Sequence, residues 1–162
     1  MLSIREVALF GVLGALTFGA KVAMSFLPNI EPVSLFVMVF ATVLGRKCLY
    51  PIYTYVALEI LVYGIGTWNL MYLYIWAVLA LLAWLMRKQE HPLAWALLSG
   101  GFGLAFGLLC APVDFFLGDI YYVVAKWTSG IIFDVYHCVG NFVIALLLFV
   151  PLRKLFRKLW EK

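Results

Sequence analysis

Charged side chains are scarce in this chain. There are 12 Lys and Arg and 8 Asp and Glu in 162 residues, so 12% of positions are charged while 66% are hydrophobic. At a mean hydropathy of +1.05, a water-soluble domain of this length would lack the polar residues to cover its surface, which excludes a soluble enzyme or binding module. Cysteine is sparse as well: Cys48, Cys110 and Cys138 are odd in number and scattered, each in or beside an apolar run. That excludes a framework of bridges and a Cys-x-x-Cys metal knuckle, and leaves the thiols as small buried apolar residues. No glycine-rich loop followed by Lys and Ser or Thr is present to cradle phosphates, so energy from ATP has to come from a partner. Repeats of 20 to 50 residues and low-complexity segments are missing too. The net charge of +4 is no nucleic-acid signal, because the basic residues sit in short loops between apolar runs and near the C-terminus, where they mark topology.

What remains is apolar sequence, and it divides into six runs. The expected fold is an all-α integral membrane protein, one domain over 1–162, a six-transmembrane-helix bundle with N and C termini cytoplasmic. The first run, about Ser3 to Phe26, has Arg5 ahead of its apolar part as a signal peptide would, but its length and Lys21 mark it as a retained span. Gly11, Ala15 and Gly19 make a strip of small residues where another helix can approach. The segment Leu27-Pro-Asn-Ile-Glu-Pro-Val-Ser34 precedes a run of about a dozen residues, Val33 to Leu44, which at roughly 18 Å is short for a crossing. The segment is therefore expected to dip into the membrane, with Asn29 and Glu31 on the lid or wall of a cavity. The alternative is a surface loop in which Glu31 caps the helix that Pro32 begins. The third span runs from Cys48 to Gly64 and carries Glu59, a pocket residue or an internal counterion. The fourth, Trp68 to Leu85, opens with Trp68, Asn69, Met71, Tyr72, Tyr74 and Trp76, whose aromatics read first as an interface belt. The fifth, Pro92 to Ala111, carries a second small-residue strip at Ser99, Gly103, Gly107 and Ala111, expected to pack inside the bundle. Pro112 is expected to stop it, leaving Asp114 to Trp127 as a polar and aromatic loop. The sixth is Trp127 to Pro151.

That last run carries Asp134, His137, Cys138 and Asn141. Offsets of three and seven put Asp134, His137 and Asn141 along one helical stripe. A charged side chain at mid-bilayer costs roughly 2.5 to 3.5 kcal/mol, so such a stripe faces a packed interior, a partner or a wet cavity. With six spans, ten of the twelve basic residues fall on one face, which the positive-inside rule places in the cytoplasm. The polar candidates fall in the opposite half. Asp134 and His137 would serve an enzyme as an acid and base pair, but no matching nucleophile, His-Glu-x-x-His helix or paired acidic prenyl-diphosphate motif accompanies them. His137 and Cys138 point about 100° apart and chelate poorly, although one of them could ligate the cobalt of a corrinoid. Alternatively Asp134 and His137 satisfy one another. A binding pocket asks less: aromatic faces to stack a ring and a few polar groups to orient it.

On these features the chain resembles the substrate-binding S components of energy-coupling factor (ECF) transporters, the vitamin-uptake branch of ABC transporters. The resemblance covers the whole chain: its length, six spans, outward polar and aromatic loops, and small residues every four on the first helix. Leu27 to Ser34 and Phe133-Asp-Val-Tyr-His-Cys-Val-Gly-Asn-Phe142 are similar to segments of bacterial members. The resemblance implies a multi-pass protein of the plasma membrane, no catalysis, and no resident cofactor or metal. It implies an outward pocket for a vitamin or other micronutrient, placed at Asn29, Glu31, Trp68, Asn69, Tyr72, Asp114, Tyr121, Tyr122, Lys126, Trp127, Asp134, His137 and Asn141. Its implied partners are membrane lipid, a transmembrane coupling subunit docked on Gly11, Ala15 and Gly19, and two cytoplasmic ATPases, with no nucleic acid. A solitary transporter of similar topology is the alternative.

Overall fold

The computed structural model describes residues 2–27 and 30–161, and the described residues are helical throughout apart from short connections. Helix α1 spans Ile4–Ala23, α2 Val33–Leu44, α3 Leu49–Tyr63, α4 Thr67–Leu85, α5 Pro92–Leu104, α6 Phe106–Leu117 and α7 Ile120–Trp160. Five helical stretches are long and apolar enough to cross a membrane: Ile4–Ala23, Val33–Tyr63, Thr67–Leu85, Pro92–Leu117 and Ile120–Trp160. The chain is a multi-pass membrane protein. Sequence-level limits hold for the first four runs to within a few residues, for identifiable reasons. Ser3 and Glu6 close a capping box ahead of α1. Gly64, at a φ of 80° that a side chain disfavours, ends α3.

The fifth and sixth runs require correction. Pro112 does not stop its helix; the break comes earlier, at Ala105, and Pro112 lies inside α6. Four glycines between Gly100 and Gly107 weaken the helix at the break, and the Tyr74 hydroxyl of α4 donates to the Leu109 carbonyl at 2.6 Å just before the proline. Nor is Asp114 to Trp127 a loop. Asp114 to Leu117 end α6, and Asp119 caps α7 by accepting the Tyr122 N–H at 2.9 Å. Helix α7 then runs for 41 residues, roughly 60 Å at 1.5 Å per residue, so the expected span Trp127 to Pro151 is only its middle.

Helix α2 is the core. It is apolar all round, ten of its twelve residues are buried, and it packs against α4 and α7 while α1 packs on α3 and α5 on α7. The two small-residue strips part company. A Cβ on Gly103 would stand 2.8 Å from the His137 backbone, and one on Gly107 2.5 Å from Asp134 Oδ2. That strip lets α5 and α6 lie directly on α7, as expected. Asn141 pins the same junction, its side-chain amide donating to Ser34 Oγ at 3.0 Å and to the Ser99 carbonyl at 3.4 Å. The first strip faces away from the bundle: nothing lies within 4 Å of a Cβ added at Gly11 or Gly19, and Ala15 is exposed. Gly14 makes the contact with α3 instead, against Thr54 and Pro51.

Basic residues gather at one end of the bundle. Lys47 pairs with Glu6, Trp160 packs over Phe10, and Arg153 donates to the carbonyls of Arg87 and Gln89. These contacts join the start of α1, the Gly45–Cys48 turn, the α4–α5 connection and the end of α7. Gly103→Ala forces α5 off the α7 backbone and is expected to cost about 1 to 3 kcal/mol, whereas Gly11→Ala meets open space and gains up to about 1 kcal/mol of helix propensity. Thermal unfolding of the two variants in detergent, followed by circular dichroism, checks the contrast.

Candidate functional site

At the opposite end Lys21, in the last turn of α1, donates to Glu59 Oε2 of α3 at 2.8 Å. Glu59 is 1% exposed and its Oε1 has no partner. Burying a carboxylate this deeply is tolerable because an ammonium meets it, and removing either partner leaves an uncompensated charge. The Lys21 ammonium also stands 5.5 Å from the Tyr72 ring centroid and 6.0 Å from that of Tyr55, within reach of a cation–π attraction.

Two adjoining cavities open around this pair. One, of about 360 Å³, is lined by Lys21, Ser25, Ile30, Glu31, Tyr72, Phe106 and His137, among others. The other, of about 450 Å³, is lined by Lys21, Val22, Ser25, Glu59, Tyr63, Trp68 and Tyr72. Lys21, Ser25 and Tyr72 belong to both, so the cavities share a wall. Each lies within the size range of small-molecule sites. Rings form a continuous wall behind them, with centroid separations of 6.3 Å for Tyr55–Tyr72, 5.3 Å for Tyr72–Trp76, 6.0 Å for Trp76–Phe106 and 4.8 Å for Phe106–His137. Within or beside this wall Tyr55 Oη, Trp76 Nε1 and His137 Nε2 are buried without a hydrogen-bond partner, a condition native proteins rarely leave unexplained. A third cavity, of about 320 Å³ between the Gly45–Cys48 turn and α4, is lined by Ala77, Ala80, Leu81, Trp84 and Arg46. Arg46 is its one charged group, so it has little with which to orient a polar solute.

The sequence-predicted residues divide between these cavities and the scaffold. Glu31, Tyr72 and His137 line the first cavity; Trp68 and Tyr72 line the second. Asn69 accepts the Gly66 N–H at 2.6 Å and closes the turn into α4. Asp114 pairs with Lys126, joining α6 to α7. Tyr121 and Tyr122 are exposed near the start of α7, with Trp127 exposed two turns on. Asp134 accepts the Gly107 N–H at 3.1 Å and leaves Oδ2 unpartnered, while His137 packs on Phe106; the two are not hydrogen-bonded to each other. Asn141 is the pin between α2, α5 and α7. Asn29 lies outside the described residues. Glu31 does not cap α2, whose N-cap Pro32 receives no side-chain bond. Glu59, left open between pocket residue and counterion, is both. Sequence reasoning missed Lys21, Ser25 and Phe106 as lining residues. For Lys21 a signal existed, because it and Glu59 are opposite charges in the same half of the protein, in otherwise apolar helices.

No family model matches the chain, and no curated protein or solved structure matches it at a significant level.

Glu31 sits in the connection between α1 and α2, outside the spanning helices. Burial pushes its carboxyl up to about 7, against the pull of Lys21 and with repulsion from Glu59 in support. The folded chain therefore holds this proton more tightly than the unfolded chain. The resulting stabilisation is complete below about pH 4.5 and is lost as the pH rises through about 7. Glu31→Gln keeps the neutral form at every pH. Its melting temperature relative to the native chain is expected to be similar near pH ~4.5, to rise above it toward pH ~7.5 and then to level off.

Proposed function

We propose that this chain is the substrate-binding S component of an ECF-type transporter, capturing a vitamin or similar micronutrient outside the cell. In this reading α2 and α3 are separate crossings, divided where Gly45 adopts a φ of 57°; α5 and α6 make one crossing, and the total is six. The basic end, with both termini, faces the cytoplasm, and the Lys21–Glu59 end faces outward. The observation that carries the reading is the convergence of Lys21, Glu31, Glu59, Tyr72 and His137 on adjoining cavities at the end away from the basic residues.

Capture then follows from the residues. A ring enters beside Tyr72, Trp68 or Phe106, and the charged groups orient its polar substituents. The connection carrying Glu31 is the gate. Its Ile30 side chain rests against Gly140 of α7, where a Cβ would come within 3.0 Å, so Ile30 is seated on the long helix. The unpartnered face of Gly11, Ala15 and Gly19 is the docking surface for the transmembrane coupling subunit, since small residues let helices approach closely within lipid. Two cytoplasmic ATPases bound to that subunit drive the loaded chain to topple in the membrane and release its solute inward.

Native mass spectrometry of the detergent-purified chain is expected to show a bound small molecule. His137→Ala is expected to weaken its retention about tenfold or more while co-purification with the coupling subunit persists. Gly11→Leu and Ala15→Trp should do the reverse. Uptake that persists in cells lacking the coupling subunit would replace this reading with a solitary transporter, and a ligand recovered with altered mass would indicate an enzyme.

A further inference from the structure

The charges around the first cavity do not balance. Lys21 is its one cation, and Glu59 already holds that ammonium at 2.8 Å. Glu31 lines the same cavity with no cation paired to it among the described salt bridges. The cavity's one ammonium thus stands beside two acids, Glu31 and Glu59. An anionic solute would have to displace Glu59 from Lys21 and approach Glu31, at a cost in both contacts.

The walls have the complementary character. Tyr72 presents a ring already flanked by an ammonium, and Phe106 is held edge-to-face by His137 at an interplanar angle of 62°. Aromatic faces attract cations and stack flat rings. His137 is 3% exposed, lines the cavity and keeps Nε2 without a protein partner.

Building on the capture reading, we propose that this cavity selects a flat, positively charged nitrogen base, an amidine or amino-substituted heteroaromatic cation. It lies against Tyr72 and Phe106, donating one N–H to the Glu31 carboxylate and another to His137 Nε2. Charge-assisted bonds to a carboxylate in a partly dry site are the strong ones, and the aromatic wall, which stacks any flat ring, adds a cation–π attraction when that ring is charged.

The test uses the full chain in nanodiscs with six probes of similar size: benzamidinium, protonated 4-aminopyridine and N-methylpyridinium, against benzoate, nicotinate and neutral benzamide. Saturation-transfer NMR and thermal stabilisation are expected to rank benzamidinium and 4-aminopyridinium about tenfold or more above benzamide, with the two anions weakest. N-methylpyridinium, with no N–H, falls between. Glu31→Gln lowers benzamidinium affinity about tenfold and leaves benzamide nearly unchanged. Anions binding more tightly than their cationic counterparts in the unmodified chain would overturn the proposal and leave solute capture standing, as would a co-purified ligand that is anionic. No probe binding and no co-purified ligand would overturn both. The ranking in the unmodified chain decides the matter even if the variant fails to fold.

Discussion

An ionised group placed among apolar helices must find a counter-charge, and in this protein the Lys21–Glu59 pair meets that requirement at the point on which the rest of the site depends. It ties the end of α1 to the end of α3, which otherwise diverge into separate connections. It also holds an ammonium beside two tyrosine rings, so that one polar contact organises both cavities. The pair is stable in place because each partner would be far more costly alone than together. Lys21 is partly exposed and Glu59 fully covered, so the pair reaches from the cavity surface into the packed helices.

A second constraint fixes the opposite wall. Gly103 allows α5 to touch the α7 backbone, Gly107 leaves room for the Asp134 carboxylate against α6, and Asn141 locks the junction through Ser34 and Ser99. His137 is thereby presented to the cavity from a helix that cannot shift without breaking these contacts. The break at Ala105 belongs to the same arrangement. It begins α6 with Phe106, whose ring packs against both Trp76 and His137. The aromatic wall is continuous because a helix was interrupted to build it.

Much of the helical framework could be read from local pattern. Apolar runs bounded by Gly45, Gly64 and Arg87 marked the first four helices, and four-residue spacing marked both small-residue strips. What could not be read was which strip faces inward, because spacing alone describes a surface and not its neighbour. The helical course of residues 114–127 was hidden by Pro112 and a run of aromatic and β-branched residues; the Asp119 cap overrides that local preference. Lys21 and Glu59 stand 38 residues apart, beyond any periodic argument. Asp134 and His137, adjacent on the stripe, proved to serve different neighbours, one a backbone N–H and the other a ring.

The near-complete enclosure of α2 also has a mechanical side. At twelve residues it is only about 18 Å long, shorter than the roughly 30 Å of hydrocarbon around the protein, and its depth is set by α4 and α7 with little direct contact with acyl chains. A thicker or thinner bilayer acts on the outer helices by tilting them, while this inner strut keeps its place. Changes in lipid thickness are therefore felt as shear between a fixed axle and the helices around it.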